Sequence, residues 1–188
     1  MIICLTRSNM PLNPEISRFI REHLDDNPDQ LLWKKNEYPD DRVVLAVEQI
    51  QARENIKEKL PSWYDCRDIF YPSKLSTEQC SSETTAPYKA RLATGNSLCD
   101  LTGGLGVDTY FFSRQVDKVT YVERDESYCE AARSNFLALG ATNIEVIHAD
   151  ATTVASQVIA DTYYVDPARR TTDNKRVFAL TDYAPNVL

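Results

Sequence analysis

The sequence predicts an α/β fold: an open parallel sheet with helices packed on it, preceded by a small helical region. Three observations predict it. After residue 96, short β-branched and aromatic runs recur, each ending at or just before a carboxylate, with helix-compatible stretches between them. Three of the five glycines of this 188-residue chain, Gly103, Gly104 and Gly106, crowd into four positions directly behind the first of those runs. Before residue 90 the apolar residues follow helical spacing and the helix starts are marked by proline.

In order along the chain, Asn13-Pro14 starts a helix that places Ile16, Phe19, Ile20 and Leu24 on one face, and Asn27-Pro28 starts a second carrying Leu31, Leu32 and Trp33. A longer helix runs from about Asp41 to Leu60, is ended by Pro61, and turns Val43, Val47, Ile50 and Ile56 inward. Its outer face alternates Arg42, Arg53, Lys57 and Lys59 with Glu48, Glu54 and Glu58, which is the pattern of a solvated helix face. The stretch Leu75 to Arg91 spaces Ser76 and Gln79 as a capping box, predicting a short helix, a turn and another helix leading into the first strand. The division falls near residue 90: a helical region over 1–90 and a ligand-binding sheet domain over 91–188.

Ser97-Leu98-Cys99-Asp100-Leu101 reads as a buried strand, Gly103 to Gly106 as a tight turn, and Val107 to Phe112 as the helix behind it. Val119-Thr120-Tyr121-Val122-Glu123 reads as the second strand, Asn143 to Asp150 as the third, and Asp161 to Val165 as the fourth, followed by Asp166-Pro167. Taken alone, a glycine cluster is a turn and an acid after a strand is a helix cap. Their order places all four acidic positions along one edge of a parallel sheet, the edge where open α/β sheets bind ligands.

The surroundings of the turn narrow the ligand. Starting from Gly104, the dinucleotide pattern of glycines fails at Thr109, and from Gly103 it fails at Leu105. The glycine-lysine-serine ending of an ATP-binding loop is absent. Asp100 at the strand tip would repel a pyrophosphate and attract an ammonium group. S-adenosylmethionine carries an ammonium, a sulfonium and an adenosine, and no phosphate.

These segments resemble the class I S-adenosylmethionine-dependent methyltransferases, whose Rossmann-like sheet begins with an acidic residue and a glycine-rich turn. The resemblance implies cofactor contacts from Asp100, Thr102, Gly103, Gly104 and Gly106, ribose binding by Glu123, adenine binding by Asp150, and a catalytic loop at Asp166, Pro167 and Arg169. It implies too that the segment before the first strand, with Tyr88 and Lys89, closes over the methionine part of the cofactor; each alone reads as a surface residue. Where base-amino methyltransferases carry Asp-Pro-Pro and an aromatic, this chain has Ala168 and Arg169.

The whole chain is similar to a bacterial methyltransferase family with an N-terminal helical region and a C-terminal THUMP-like domain. The segments that carry the likeness are Ala46 to Ile50 with Arg53, Glu78 to Glu83, Asp100 to Gly106 and Asp166 to Arg170. This resemblance implies an enzyme that methylates RNA. It also implies a C-terminally truncated fragment, because the full sheet has seven strands and four are legible here. The fourth strand would then be an exposed edge, open to self-association with another copy or to cover by Thr171 to Leu188. The alternatives are a methyltransferase for a small molecule or protein, and a non-catalytic scaffold.

Composition bounds these readings. A net charge of −7 disfavours long-range attraction of RNA, so RNA contact would need the local cluster of Arg169, Arg170, Lys175 and Arg176 or a further domain. No stretch is apolar enough to span a bilayer and the first residues do not form a signal peptide, so the expected location is the cytoplasm, with no membrane partner. The five cysteines are scattered without any C-x-x-C pair, which indicates neither a disulfide framework nor a zinc site. Cys99 and Cys129 fall on core-facing positions.

Overall fold

A computed structural model describes residues 14–38 and 40–166. The helical part comprises α1 (Pro14–His23), α2 (Pro28–Trp33), α3 (Arg42–Ile56), α4 (Pro61–Asp65), α5 (Lys74–Gln79) and α6 (Thr85–Ala90). Then follow β1 (Ser97–Asp100), α7 (Val107–Phe112), β2 (Lys118–Glu123), α8 (Glu126–Ala138), β3 (Ile144–His148), α9 (Ala151–Val154) and β4 (Thr162–Tyr164). The fold is α/β, as the sequence predicts.

The strands form one parallel sheet of order β3-β2-β1-β4. Leu98 lies opposite Val119 and Thr162, while Glu123 at the end of β2 lies opposite His148. Because every pairing is parallel, the carboxyl ends of all the strands share one edge, and the reversal of chain direction around the sheet falls between β1 and β4. The central strands are buried along most of their length and the outer two are half-buried. Cys99 and Cys129 are both fully buried. Among the described residues β4 pairs only with β1, and Tyr163 is 46% exposed on it; Thr171 to Leu188 lie outside those residues.

Asp161 pins the start of β4 to the start of β1. Its carboxylate accepts from the Asn96 and Ser97 amides at 2.8 and 2.9 Å and from the Ser97 hydroxyl at 2.8 Å, and those bonds hold it below its ordinary pKa.

In the helical part, Phe19, Ile20 and Leu24 close against Val43, Ala46, Val47 and Ile50. Asn27 caps α2 by accepting from the Asp29 and Gln30 amides, with Pro28 in the first turn. That helix buries Leu31 alone; Leu32 is 40% and Trp33 83% exposed, because a six-residue helix presents only one turn to α3.

Two boundaries differ from the sequence reading. The long helix stops at Ile56 rather than at Leu60, and Pro61 opens α4 instead of only ending what precedes it. Proline suits either side of a break, since it lacks the amide that a first turn leaves unpaired. The cap of α5 is Ser73, not Ser76: Ser73 is extended (φ −157°, ψ 156°) and its hydroxyl accepts the Ser76 amide at 3.0 Å, which places Ser76 inside the helix.

A second core spans the helical part and the sheet. Ile56, Leu60, Trp63, Tyr71 and Ala86 pack with Leu105 and Val107, so the helices bury part of the glycine turn itself. Two side-chain amides join the same parts. Asn135 of α8 donates to the Phe70 carbonyl and accepts the Phe70 amide, both at 2.8 Å. Gln49 of α3 does the same for Tyr71, at 2.8 and 2.9 Å. Consecutive residues are thereby clamped from opposite sides.

Asn135 is fully buried, so Asn135→Ala leaves the Phe70 amide and carbonyl without partners. The expected loss is about 2–4 kcal/mol of unfolding free energy in urea titrations. A loss well under 1 kcal/mol would show that the clamp is not a structural tie.

Candidate functional site

The turn from Leu101 to Gly106 rests on the side chain beneath it. The Tyr121 ring lies so close to Gly103 that a Cβ there would come within 2.2 Å of a ring carbon, and the Tyr121 hydroxyl donates to the Gly104 carbonyl at 2.6 Å. Gly106 has φ +86°, a left-handed conformation open to glycine, and a Cβ on it would meet Phe136 at 2.8 Å. The Gly103 amide donates to the Val122 carbonyl at 3.0 Å, which ties the turn to β2.

Asp100 lies beneath this turn, 1% exposed. One carboxylate oxygen accepts the Thr102 amide at 3.0 Å and its hydroxyl at 3.4 Å; the other accepts the Thr109 hydroxyl at 2.5 Å. Burial pushes its pKa up to about 7, against the opposing pull of the hydrogen bonds from Thr109 and Thr102. The carboxylate thus joins the strand tip, the start of the turn and helix α7.

Glu123 ends β2 half-exposed. Its Oε2 accepts the Gly104 amide at 3.0 Å, and its Oε1 accepts the Arg124 and Asp125 amides at 2.8 and 3.0 Å. The structure therefore brings the turn and the second strand's acid into direct contact. Asp150 follows β3, exposed, and caps α9 by accepting the Thr152 amide at 2.8 Å and its hydroxyl at 2.5 Å; those bonds lower its pKa. It lies on the same edge, and both capping bonds fall on Oδ1. Asp166 follows β4, and its amide donates to the Thr102 hydroxyl at 2.8 Å, which joins the fourth strand's end to the turn. Pro167 and Arg169, with Arg170, Lys175 and Arg176, lie outside the described residues.

Beside Asp166 stands a polar cluster that sequence reasoning did not assemble. Lys89 on α6, read there as a surface residue when taken alone, sends its ammonium inward: it donates to Asp108 Oδ2 and Ser81 Oγ, both at 2.9 Å, and to Tyr164 Oη at 2.6 Å, and it stands 3.5 Å from Asp166 Oδ2. The Lys89 and Asp108 side chains are 23% and 14% exposed. Burial raises the Tyr164 hydroxyl pKa far above its ordinary value, with Asp108 adding to the effect, so that hydroxyl stays a donor. The other oxygen of Asp108 is buried without a hydrogen-bond partner among the described residues. Tyr88, its neighbour on α6, is 64% exposed. A lone lysine and an acid in a helix's first turn carry no sequence signal for meeting; only the approach of α6 to α7 and β4 joins them.

No family model and no curated protein matches the chain. Among solved structures, it is similar to one from Porphyromonas gingivalis W83, provisionally described as a methyltransferase: 30% identical, TM-score 0.79, over 93% of this chain and 44% of that one. The chain thus spans under half the length of that protein. A variant of MtNAS in complex with S-adenosylmethionine superposes loosely, at 15% identity and TM-score 0.41, over 80% of this chain and 70% of that one. Sheet order and the first likeness together make the fold that of the Rossmann-like methyltransferases.

Two predictions come from this geometry. Gly103→Ala drives a methyl group into the Tyr121 ring, and the expected cost is about 1–3 kcal/mol or more of stability in urea titrations. An unshifted midpoint would mean that the turn can move off the ring freely. For Asp100, the folded chain holds its proton more tightly than the unfolded chain does, because the carboxyl moves from an ordinary 3.8 up to about 7. Its contribution to stability is therefore complete below the ordinary 3.8 and is lost as pH rises through about 7. Urea midpoints of wild type should fall relative to those of Asp100→Asn between pH 4 and 7; parallel curves would remove the claim.

Proposed function

We propose that the chain is the cofactor-binding part of an S-adenosylmethionine-dependent methyltransferase, and that its acceptor is RNA. The observation that carries the first half is the joining, at one edge of the sheet, of a glycine turn, the Glu123 carboxylate on that turn's amide, and Asp166 on Thr102. The likeness to the Porphyromonas protein supports it.

The donor set suits an adenosyl amino acid. Glu123 offers two carboxylate oxygens at the tip of β2, as a ribose diol requires, and Gly104 leaves open space above itself, where an added Cβ would find, among the described residues, only the Thr102 carbonyl within 4 Å. The turn holds no lysine, so phosphate recognition has no cation there. Glu123 would hold the ribose and Asp150 the adenine. Asp100, enclosed beneath the turn, acts by shaping it. When bound, the sulfonium supplies the electrophilic methyl group, and the chain's part is to place the acceptor in line with it and to exclude water. Asp166 is the residue beside the turn that can take a hydrogen bond from the acceptor.

The RNA acceptor is supported by the likeness to the THUMP-containing family and by the run Arg169, Arg170, Lys175 and Arg176, a basic patch in an otherwise acidic chain. Location in the cytoplasm belongs to the same reading; among the described residues no helix is long and apolar enough to cross a membrane.

Calorimetric titration with S-adenosylhomocysteine tests the cofactor half. Wild type should bind with micromolar affinity and Glu123→Ala at least about tenfold more weakly, which is about 1.4 kcal/mol. Absence of heat in both would favour the scaffold. Filter binding of cellular RNA at graded salt tests the acceptor: retention should fall steeply as salt rises. Cofactor binding with no RNA retention even at low salt would point to a small-molecule or protein acceptor.

A further inference from the structure

Asp166 is held at two points. Its amide is bonded to Thr102 of the turn, and its Oδ2 stands 3.5 Å from the Lys89 ammonium and 3.4 Å from the Tyr164 hydroxyl. Its Oδ1 has no partner among the described residues, and the side chain is 53% exposed. Lys89 is itself fixed by shorter bonds to Asp108, Ser81 and Tyr164, and Asp108 belongs to the first turn of the helix behind the glycine turn. One ammonium therefore lies between two carboxylates and ties the end of β4 to the helix behind the glycine turn. Without that cation the Asp108 and Asp166 carboxylates would repel each other, and Asp166, the more exposed of the two, would swing outward.

We propose that Lys89 is a positioning residue: it holds Asp166 so that Oδ1 stays presented beside the turn, ready to accept a hydrogen bond from an N–H group at the methyl-transfer position. This rests on the methyltransferase reading and deepens it, naming an amine or amide nitrogen as the acceptor atom that the site favours. An ion pair that only braced the fold would stabilise the chain without discriminating between ligands that differ at that position.

Two ligands make the distinction. S-adenosylhomocysteine has a bare thioether there, whereas sinefungin places an amine where the methyl group stands. Both are titrated calorimetrically into wild type, Lys89→Met, Lys89→Arg, Tyr164→Phe and Asp166→Asn, with circular dichroism confirming that each variant is folded. Wild type should prefer sinefungin about tenfold or more, a gap of about 1.4 kcal/mol. Asp166→Asn should abolish the preference, Lys89→Met and Tyr164→Phe should each cut it at least threefold, and Lys89→Arg should restore most of it. If Lys89→Met does not fold, Tyr164→Phe and Lys89→Arg still read the same ratio. A wild type that binds both ligands equally, or a preference untouched by loss of the Lys89 ammonium or the Tyr164 hydroxyl, would overturn the inference while leaving cofactor binding intact. Failure of S-adenosylhomocysteine itself to bind would overturn the cofactor reading and this inference with it.

Discussion

The contact between the Gly103 backbone and the Tyr121 ring governs the binding edge. A main chain packed this closely against an aromatic ring leaves no room for a side chain, and in return the Tyr121 hydroxyl reaches the Gly104 carbonyl. Once that carbonyl is held from below, the Gly104 amide faces the Glu123 carboxylate, and the two strands' contributions to the site come into register. Leu105 and Val107 then project into the core shared with the helices, and α7 starts where Gly106 turns with positive φ. Moving the turn off the ring would displace a hydrogen bond, a core layer and a helix start together.

The helical part is structurally continuous with the site. Trp63, Leu60 and Ile56 share a core with the turn, while Gln49 and Asn135 grip adjacent residues of the connecting segment from opposite sides. Side-chain amides suit this task because each carries both a donor NH2 and an acceptor carbonyl, enough to satisfy a residue's amide and carbonyl as a neighbouring strand would. The connection leads into α5 and α6, and α6 delivers Lys89. A residue separated from Tyr164 by most of the sheet domain thereby becomes its hydrogen-bond partner.

Carboxylates set the electrostatics of the edge, and burial sorts them. Asp100 is enclosed and its pKa is pushed up to about 7, so near neutral pH it is partly protonated beneath the turn. Asp150 is exposed and held low by its capping bonds. Asp108 and Asp166 share one lysine. The same residue type therefore serves as a buried structural link, a helix cap and a presented acceptor, according to solvent access and neighbouring donors.

Strand positions and the acid or glycine at each strand end were legible in the chain, because a buried parallel strand demands an apolar run and a tight turn demands glycine, whatever the rest of the molecule does. The helix start at Pro28 was legible for the same local reason. Helix ends and caps were less so: Ser73 and Ser76 offer the same hydroxyl, and only the extended backbone at Ser73 selects between them. The Lys89 cluster and the enclosure of Asp100 were decided by tertiary structure alone. They join residues far apart in sequence, and neither spacing nor composition encodes which helix packs over which strand; that follows from the apolar faces the packed elements bury together.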